Sequence, residues 1–380
     1  MGNRAGYLRQ NLTGECAYHS FVPAPLPIQP GLELDQRLWK QVVETRAHIA
    51  ELETRSERIP DLDMFVSMYV RKEALMSSQI EGTQATLEDI LDPLIETNTN
   101  ADVADVVQYV AAVQYALDAM QKLPLCSRLL RDIHEVLLAG VRGHEKNPGE
   151  FRRSQNWIGG QGSTLQNARY IPPNVDDMRE AMGNLEMYMN QEPEIDAVVS
   201  AALIHYQFET IHPFLDGNGR LGRLLIILYL MQQGVLSAPT LYVSYFLKQN
   251  RVEYYDRLSE VRRTGNYEQW VSFFLEALEE AARDAAETIL ALDALHSESE
   301  AAILAYNRGT TRNLEVLKYL EKSPIIDIRK TAEALKVSYP TVNSSVKDLV
   351  SLGVLKQTSN GRRNRTFTYE KYLDILKRGT

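Results

Sequence analysis

Apolar residues recur at helical spacing along most of this chain. Between Asp35 and about Arg58, Leu38, Val42, Ile49 and Leu52 share one face, and Pro60 stops the run. Met64, Met68, Leu75 and Ile80 repeat the pattern, and Gly82 stands where a left-handed residue would close a second helix. The same spacing predicts helices over 87–96, 101–121, 125–140, 175–191, 195–210, 219–233, 240–263 and 267–295. Two stretches depart from it. PAPLPIQP, within the first thirty-odd residues, is held extended by proline and is expected to lie over the surface of the body. At 156–172, NWIGGQGSTLQNARYIP places glycine-rich turn material between two short extended pieces, which predicts a β-hairpin.

From about Leu314 the pattern shortens into three compact helices, LEVLKYLE, IRKTAEALK and YPTVNSSVKDLVSLG, followed by two strands flanking the basic turn SNGRRNR. That order predicts a C-terminal winged helix-turn-helix domain. The chain thus reads as mainly α, and 380 residues suit two or three domains better than one core. We expect an amino-terminal region over 1–100, a helical core over 101–295 and the winged helix over 305–380.

Charge sharpens this division. Residues 310–380 carry 14 Lys+Arg against 7 Asp+Glu, whereas the preceding 309 residues carry 27 against 43. The basic tail is therefore the candidate for DNA, with Lys347 on the second helix of the turn motif and Arg362, Arg363 and Arg365 in the wing. A dimer or protein contact is the competing use of such a fold, so a homodimer stays open. With 44% hydrophobic and 24% charged residues, the chain is neither disordered nor fibrous. Its longest apolar run, Leu224–Met231, is too short to cross a bilayer, so no membrane association is expected. The amino terminus lacks the apolar run of a signal peptide, which makes the cytoplasm the expected compartment. Cys16 and Cys126 support neither a disulfide framework nor a zinc site.

The chemistry concentrates in residues 212–223, HPFLDGNGRLGR, between one helix and the apolar helix after it. A loop feeding a helix amino terminus is an anion site: Gly217 and Gly219 allow close backbone approach, and the helix dipole favours negative charge. Arg220 and Arg223, three apart, carry forked donors suited to phosphate oxygens. Asp216 is a lone carboxylate beside them, a common way to hold Mg2+ that keeps its waters. His212 is the nearby group suited to accept a proton at neutral pH. These parts imply attack of a hydroxyl on a nucleotide phosphate.

The segment resembles the Fic family motif HPFx(D/E)GNGRxxR at every defined position. NPGEFRRSQNWIGG with YIPP resembles that family's approach to its target-binding flap, and YFLKQNRVEYYDRL the helix closing its adenine pocket; the likeness runs from about Pro60 to Leu275. The resemblance implies a Fic-type helical core with a β-hairpin flap and transfer of AMP from ATP to a Tyr, Thr or Ser hydroxyl of a protein docked at 156–172, with Mg2+ as cofactor. It implies that His212 is the base, Asp216 the metal ligand, and Gly217, Asn218, Gly219, Arg220, Leu221, Gly222 and Arg223 the ATP-binding stretch, with Asn250 and Tyr255 in the adenine pocket. Members with lysine in place of Gly219 act as kinases, and this chain keeps glycine. Upstream, Ser77, Glu81 and Gly82 match the family's inhibitory motif (S/T)xxxE(G/N), in which Glu81 would pair with Arg223 and exclude the γ-phosphate. The alternatives are a nucleotide-sensing DNA-binding regulator and a de-AMPylating hydrolase that uses Glu81 to orient water.

Overall fold

In the computed structural model, residues 4–59, 61–93, 100–160, 162–358 and 365–378 are described. The elements run in the order β1 (Gly6–Asn11), β2 (Tyr18–Pro23), α1 (Gln36–Ser56), α2 (Leu62–Ile80), α3 (Leu87–Leu91), α4 (Ala101–Met120), α5 (Ser127–Leu137), α6 (Val175–Asn190), α7 (Ala197–Ile211), α8 (Asn218–Gln232), α9 (Ser244–Gln249), α10 (Arg251–Thr264), α11 (Tyr267–Tyr306), α12 (Thr310–Lys322), β3 (Ile325–Asp327), α13 (Ile328–Ala334), α14 (Tyr339–Ser351), β4 (Lys356–Gln357), β5 (Thr366–Thr368) and α15 (Glu370–Leu376). The fold is mainly helical, with small sheets. No helix among the described residues is long and apolar enough to cross a membrane.

The body is built around α7 and α8, whose residues are buried almost throughout. A helix apolar on every side needs neighbours on every side. Here α6, α5, α4, α2 and α11 supply them. Helix α2 starts from Asp61, whose side chain caps the Met64 N–H at 3.1 Å. It runs beside α4 and α9 to reach the amino end of α8.

Five expectations need correction. The opening residues do not merely lie extended over the surface: β1 and β2 pair antiparallel, Gly6 opposite Pro23 through Asn11 opposite Tyr18, and Ala5, Phe21, Leu26 and Ile28 are buried. Leu26 and Ile28 alternate with prolines, so the extended chain turns one apolar edge inward while Asn184 brackets the Leu26 backbone from both sides. The hairpin expected at 156–172 is reduced to one antiparallel bridge, Ile158 opposite Tyr170, because the intervening turns engage their own side chains instead of a ladder. The helix expected over 240–263 is two, α9 and α10, with Asn250 (φ −102°, ψ 31°) at the joint and residues 240–243 outside both. The helix expected to end at 295 continues to Tyr306, since HSESE contains no breaker and Ser299 turns inward to the Tyr369 hydroxyl at 2.7 Å. The helix expected over 87–96 ends at Leu91, because Asp92 before Pro93 leaves the helical region (φ −58°, ψ 123°), and 94–99 lie outside the described residues.

At the carboxyl end α12, α13 and α14 pack on one another beside an antiparallel sheet of order β3-β5-β4. Residues 359–364, where the basic turn with Arg362 and Arg363 is expected, lie outside the described residues. A final helix, α15, which the pattern reading did not include, docks on α11 and reaches α12 through Tyr372, whose hydroxyl donates to the Glu321 carbonyl at 3.0 Å. This unit also touches α2 and its continuation. Lys322 lies 3.3 Å from Asp61, the buried Lys72 ammonium donates to the Arg378 carbonyl at 2.9 Å, and Lys377 pairs with Glu88.

Candidate active site

The loop between α7 and α8 is shaped by its own side chains. His212 ends α7 in the left-handed region (φ 49°, ψ 62°), and Gly217 opens α8 at φ 72°. Between them the Asn218 amide clasps Phe214 twice, accepting from its N–H at 2.9 Å and donating to its carbonyl at 2.9 Å. The Asn218 side chain is therefore committed to the loop, and what it offers a ligand is backbone. Asp216 Oδ1 accepts from the Gly217 N–H at 2.6 Å, and its other oxygen faces Gly143. Underneath sits His134, a residue the pattern gave no reason to select. Its Nδ1 accepts from the Gly149 N–H at 2.9 Å, so Nε2 carries the proton it donates to the Asp216 carbonyl at 3.0 Å. Its ring stacks on Phe214 at 3.8 Å, and burial pulls its pKa down to about 4, so it serves as a neutral brace.

The amino end of α8 collects positive charge. Arg220 and Arg223 are both buried, and Leu221 between them is core. Arg223 donates through Nε to the Ser77 hydroxyl at 2.8 Å and through Nη2 to the Ser77 carbonyl at 2.9 Å and to Glu81 Oε1 at 2.8 Å. The Arg223 side chain is 1% exposed and that of Glu81 41%. Glu81 reaches this position because α2 stops at it and Gly82 turns the chain away at φ 104°. A Cβ built on Gly219 would lie 2.3 Å from Glu81 Oε1, so the carboxylate rests directly against the helix end, where an anion is favoured. Desolvation pushes the Glu81 carboxyl up, but Arg223, Arg220 and His212 together hold it below its ordinary range.

Two further carboxyls stand behind Arg223. Glu209 packs on α8, its Oε1 2.4 Å from where a Gly222 Cβ would be, and burial raises its pKa to about 7. Glu73 bonds Ser244 and is likewise pushed to about 7 by burial. Neither was legible in the pattern, since each looks like an ordinary helix carboxylate. Burial, reinforced by Arg152 and Arg262, lowers His212 to about 4, which leaves its imidazole neutral and able to accept a proton at pH 7. Its Nδ1 is buried without a hydrogen-bond partner. Arg152, also unanticipated, donates to the His212 carbonyl at 3.0 Å.

Of the expected adenine-pocket pair, Asn250 spends its amide on the Phe246 carbonyl at 3.0 Å, at the joint of α9 and α10. Tyr255 is half-buried, and its phenol is raised to about 12 by burial, with Glu81 and Arg223 also acting on it. The structure thus brings together His212, the 217–223 stretch, Ser77, Glu81 and Arg223, with Tyr255 near enough to feel their charge. Among the described residues no cluster of three or more His, Cys, Asp or Glu could hold a metal ion alone.

Residues 124–230 match the model of the Fic/DOC family, residues 39–118 that of the Fic/DOC family N-terminal region, and residues 309–372 a family described as HVO_A0114. The chain is 32% identical over 195 residues to a protein adenylyltransferase Fic of Drosophila grimshawi, covering 49% of this chain and 36% of that one. It is 36% identical over 152 residues to that of Culex quinquefasciatus, covering 40% and 27%. The chain thus spans under two fifths of the length of these relatives. A crystal structure of a Fic family protein from Desulfovibrio desulfuricans shares the fold over 90% of this chain and 98% of its own, with TM-score 0.58 at 21% identity.

Proposed function

Because the chain carries a Fic/DOC domain at residues 124–230, preceded by the family's N-terminal region, we propose that it transfers AMP from ATP to a hydroxyl of a protein. The observation that carries the proposal is the Glu81 carboxylate, seated against the amino end of α8 and bonded to Arg223 at 2.8 Å. An anion already occupies this place, and the buried arginines around it suit the oxygens of a triphosphate. The names of the Drosophila and Culex relatives support the reaction class.

In this reading the neutral His212 accepts the proton of a Ser, Thr or Tyr hydroxyl as its oxygen attacks the α-phosphorus. The bond from that phosphorus to the β-phosphate oxygen breaks, and pyrophosphate leaves. The α8 backbone from Gly217 to Gly219 receives the α-phosphate, and Arg220 and Arg223 receive the β- and γ-phosphates. Tyr255 lies beside the adenine, while Asn250 shapes the joint. Asp216, a single carboxylate beside the phosphate-binding stretch, is the residue that would hold a magnesium ion. Such an ion, when bound, neutralises phosphate charge.

Glu81 then acts as an inhibitor, because Arg223 cannot hold it and a γ-phosphate in the same geometry. The domain plan that fits is a regulatory amino-terminal region over 1–100, a catalytic core over 101–295 and a winged helix over 305–380. The succession α12, α13 and α14 beside the β3-β5-β4 sheet supports the last. We read that unit as binding duplex DNA through phosphates, and the segment 156–172 as the place where the protein target docks.

The test is intact-mass spectrometry after incubation with magnesium ATP of the starting protein, Glu81→Gly, Arg223→Ala and the double variant. Glu81→Gly should add the mass of AMP to itself or to a lysate protein well above the starting protein, and Arg223→Ala should erase that gain. No added mass in any of the four would refute AMP transfer. AMP released from a pre-modified target, without labelling, would indicate the hydrolase.

A further inference from the structure

We propose that Arg152 is the positioning residue for His212: a buried guanidinium that grips the backbone on both sides of the imidazole and ties it to the two arms of the flap. The role rests on the transferase reading for its chemistry, but the geometry stands by itself. Arg152 is 2% exposed. Its Nε donates to the His212 carbonyl at 3.0 Å, Nη1 to Ser154 at 3.3 Å, and Nη2 to Pro173 and, at 3.5 Å, to Ile211. Its own N–H donates to Pro213 at 2.9 Å. One residue thus satisfies three successive carbonyls, of residues 211, 212 and 213, where α7 ends. Ser154 and Pro173 flank the segment 156–172 on either side.

Two features point to a function beyond packing. The donors of Arg152 go to backbone carbonyls, and burying a cation without a carboxylate partner is costly, so a residue retained only to fill space would be apolar. The carbonyls it holds belong to a strained place. His212 is a non-glycine residue at φ 49°, a strained conformation for an L-residue, and it persists only if its surroundings impose it. The five forked donors of a guanidinium can grip several carbonyls at once, which a lysine ammonium cannot do in the same plane. The adjacent Arg153 provides the contrast: it is exposed and pairs with Glu150.

The charge of Arg152 also acts on the imidazole. The charged groups facing His212 are Arg152 before the flap, Arg262 from α10 and Glu81 at the end of α2, with the Glu209 backbone on its own helix. Removing Arg152 deletes one of two cations that disfavour imidazolium, so protonation of His212 should move to higher pH.

The experiment uses the full chain carrying Glu81→Gly, with Arg152→Met, Arg152→Lys and Arg153→Met added singly. The titration midpoint of the His212 imidazole is followed by NMR without nucleotide, and labelling is followed for kcat and for KM of ATP. Arg152→Met should raise the midpoint by about 1 pH unit and lower kcat at least about 10-fold, with KM within about twofold. Arg152→Lys should keep the midpoint near that of the parent and still lose kcat, because charge is retained and the fork is not. Arg153→Met should change neither. If the midpoint stays put in Arg152→Met and kcat of both Arg152 variants stays within about twofold of the parent, the assignment is overturned. Should Arg152→Met not fold, the kcat of Arg152→Lys decides alone. A parent that never labels refutes the transferase reading instead, and the midpoint then decides the Arg152 assignment.

Discussion

The amino end of α8 and the carboxyl-terminal unit both announce themselves by basic residues, yet they hold them in opposite ways. Arg220 and Arg223 are buried, and Arg223 is oriented by Ser77 and faces the Glu81 carboxylate at 2.8 Å. Lys347 on α14 stands in solvent, and Arg365 lies half-buried against Phe367 and Asn343. A buried cation acts through geometry at a few ångströms, whereas an exposed one acts through a field that salt screens within about 10 Å. The first can select one ligand pose. The second can attract a polyanion without choosing among poses.

The largest effect expected of the comparison lies at the buried site. In a Glu81→Gly background, His212→Ala should lower the labelling rate by about 10²- to 10⁴-fold while ATP affinity, measured by calorimetry, changes little, because the imidazole handles a proton and the arginines handle phosphate. Labelling at the parent rate would place the base elsewhere. The next effect separates the two regions directly. Raising salt from about 50 to 200 mM should weaken duplex DNA binding by the full chain about 100-fold, and ATP binding to Glu81→Gly far less. Equal salt dependence would erase the distinction drawn here, and no DNA binding at low salt would make the terminal unit a protein contact.

The smallest effect concerns Glu209, whose pKa is raised to about 7 by burial. A carboxyl whose folded pKa exceeds its unfolded value binds more protons in the folded state, so stability falls as pH rises between the two. Glu209→Gln removes that loss. It should be more stable than the parent at pH 8 by about 2 kcal/mol, and the two should converge near pH 4, as read from denaturant midpoints. A constant difference from pH 4 to pH 8 would mean that Glu209 stays ionised against Arg223.

Local chemistry made much of this visible in the sequence. The 3.6-residue period predicts most of the helices, and the twelve-residue run from His212 to Arg223 marks the candidate anion site. What stayed hidden depends on contacts between distant parts of the chain. Nothing local distinguishes Arg152 from Arg153, although one is buried beneath His212 and the other lies in water. His134 and Glu73 look like ordinary residues of amphipathic helices until tertiary packing buries them. The break at Asn250 was missed because apolar spacing runs through it undisturbed. The first hairpin was missed because prolines drew the eye to surface coil, while Phe21 was already donating its N–H to Ile171 at the foot of the flap.

Helix α11 runs forty residues without interruption. At 1.5 Å per residue it is a rod about 60 Å long, passing from contacts with α1 and α7 at one end to α12 and α15 at the other. A tilt of about 5° over that length would displace one end by about 5 Å, more than the 3.3 Å that separates Lys322 of α12 from Asp61 at the start of α2.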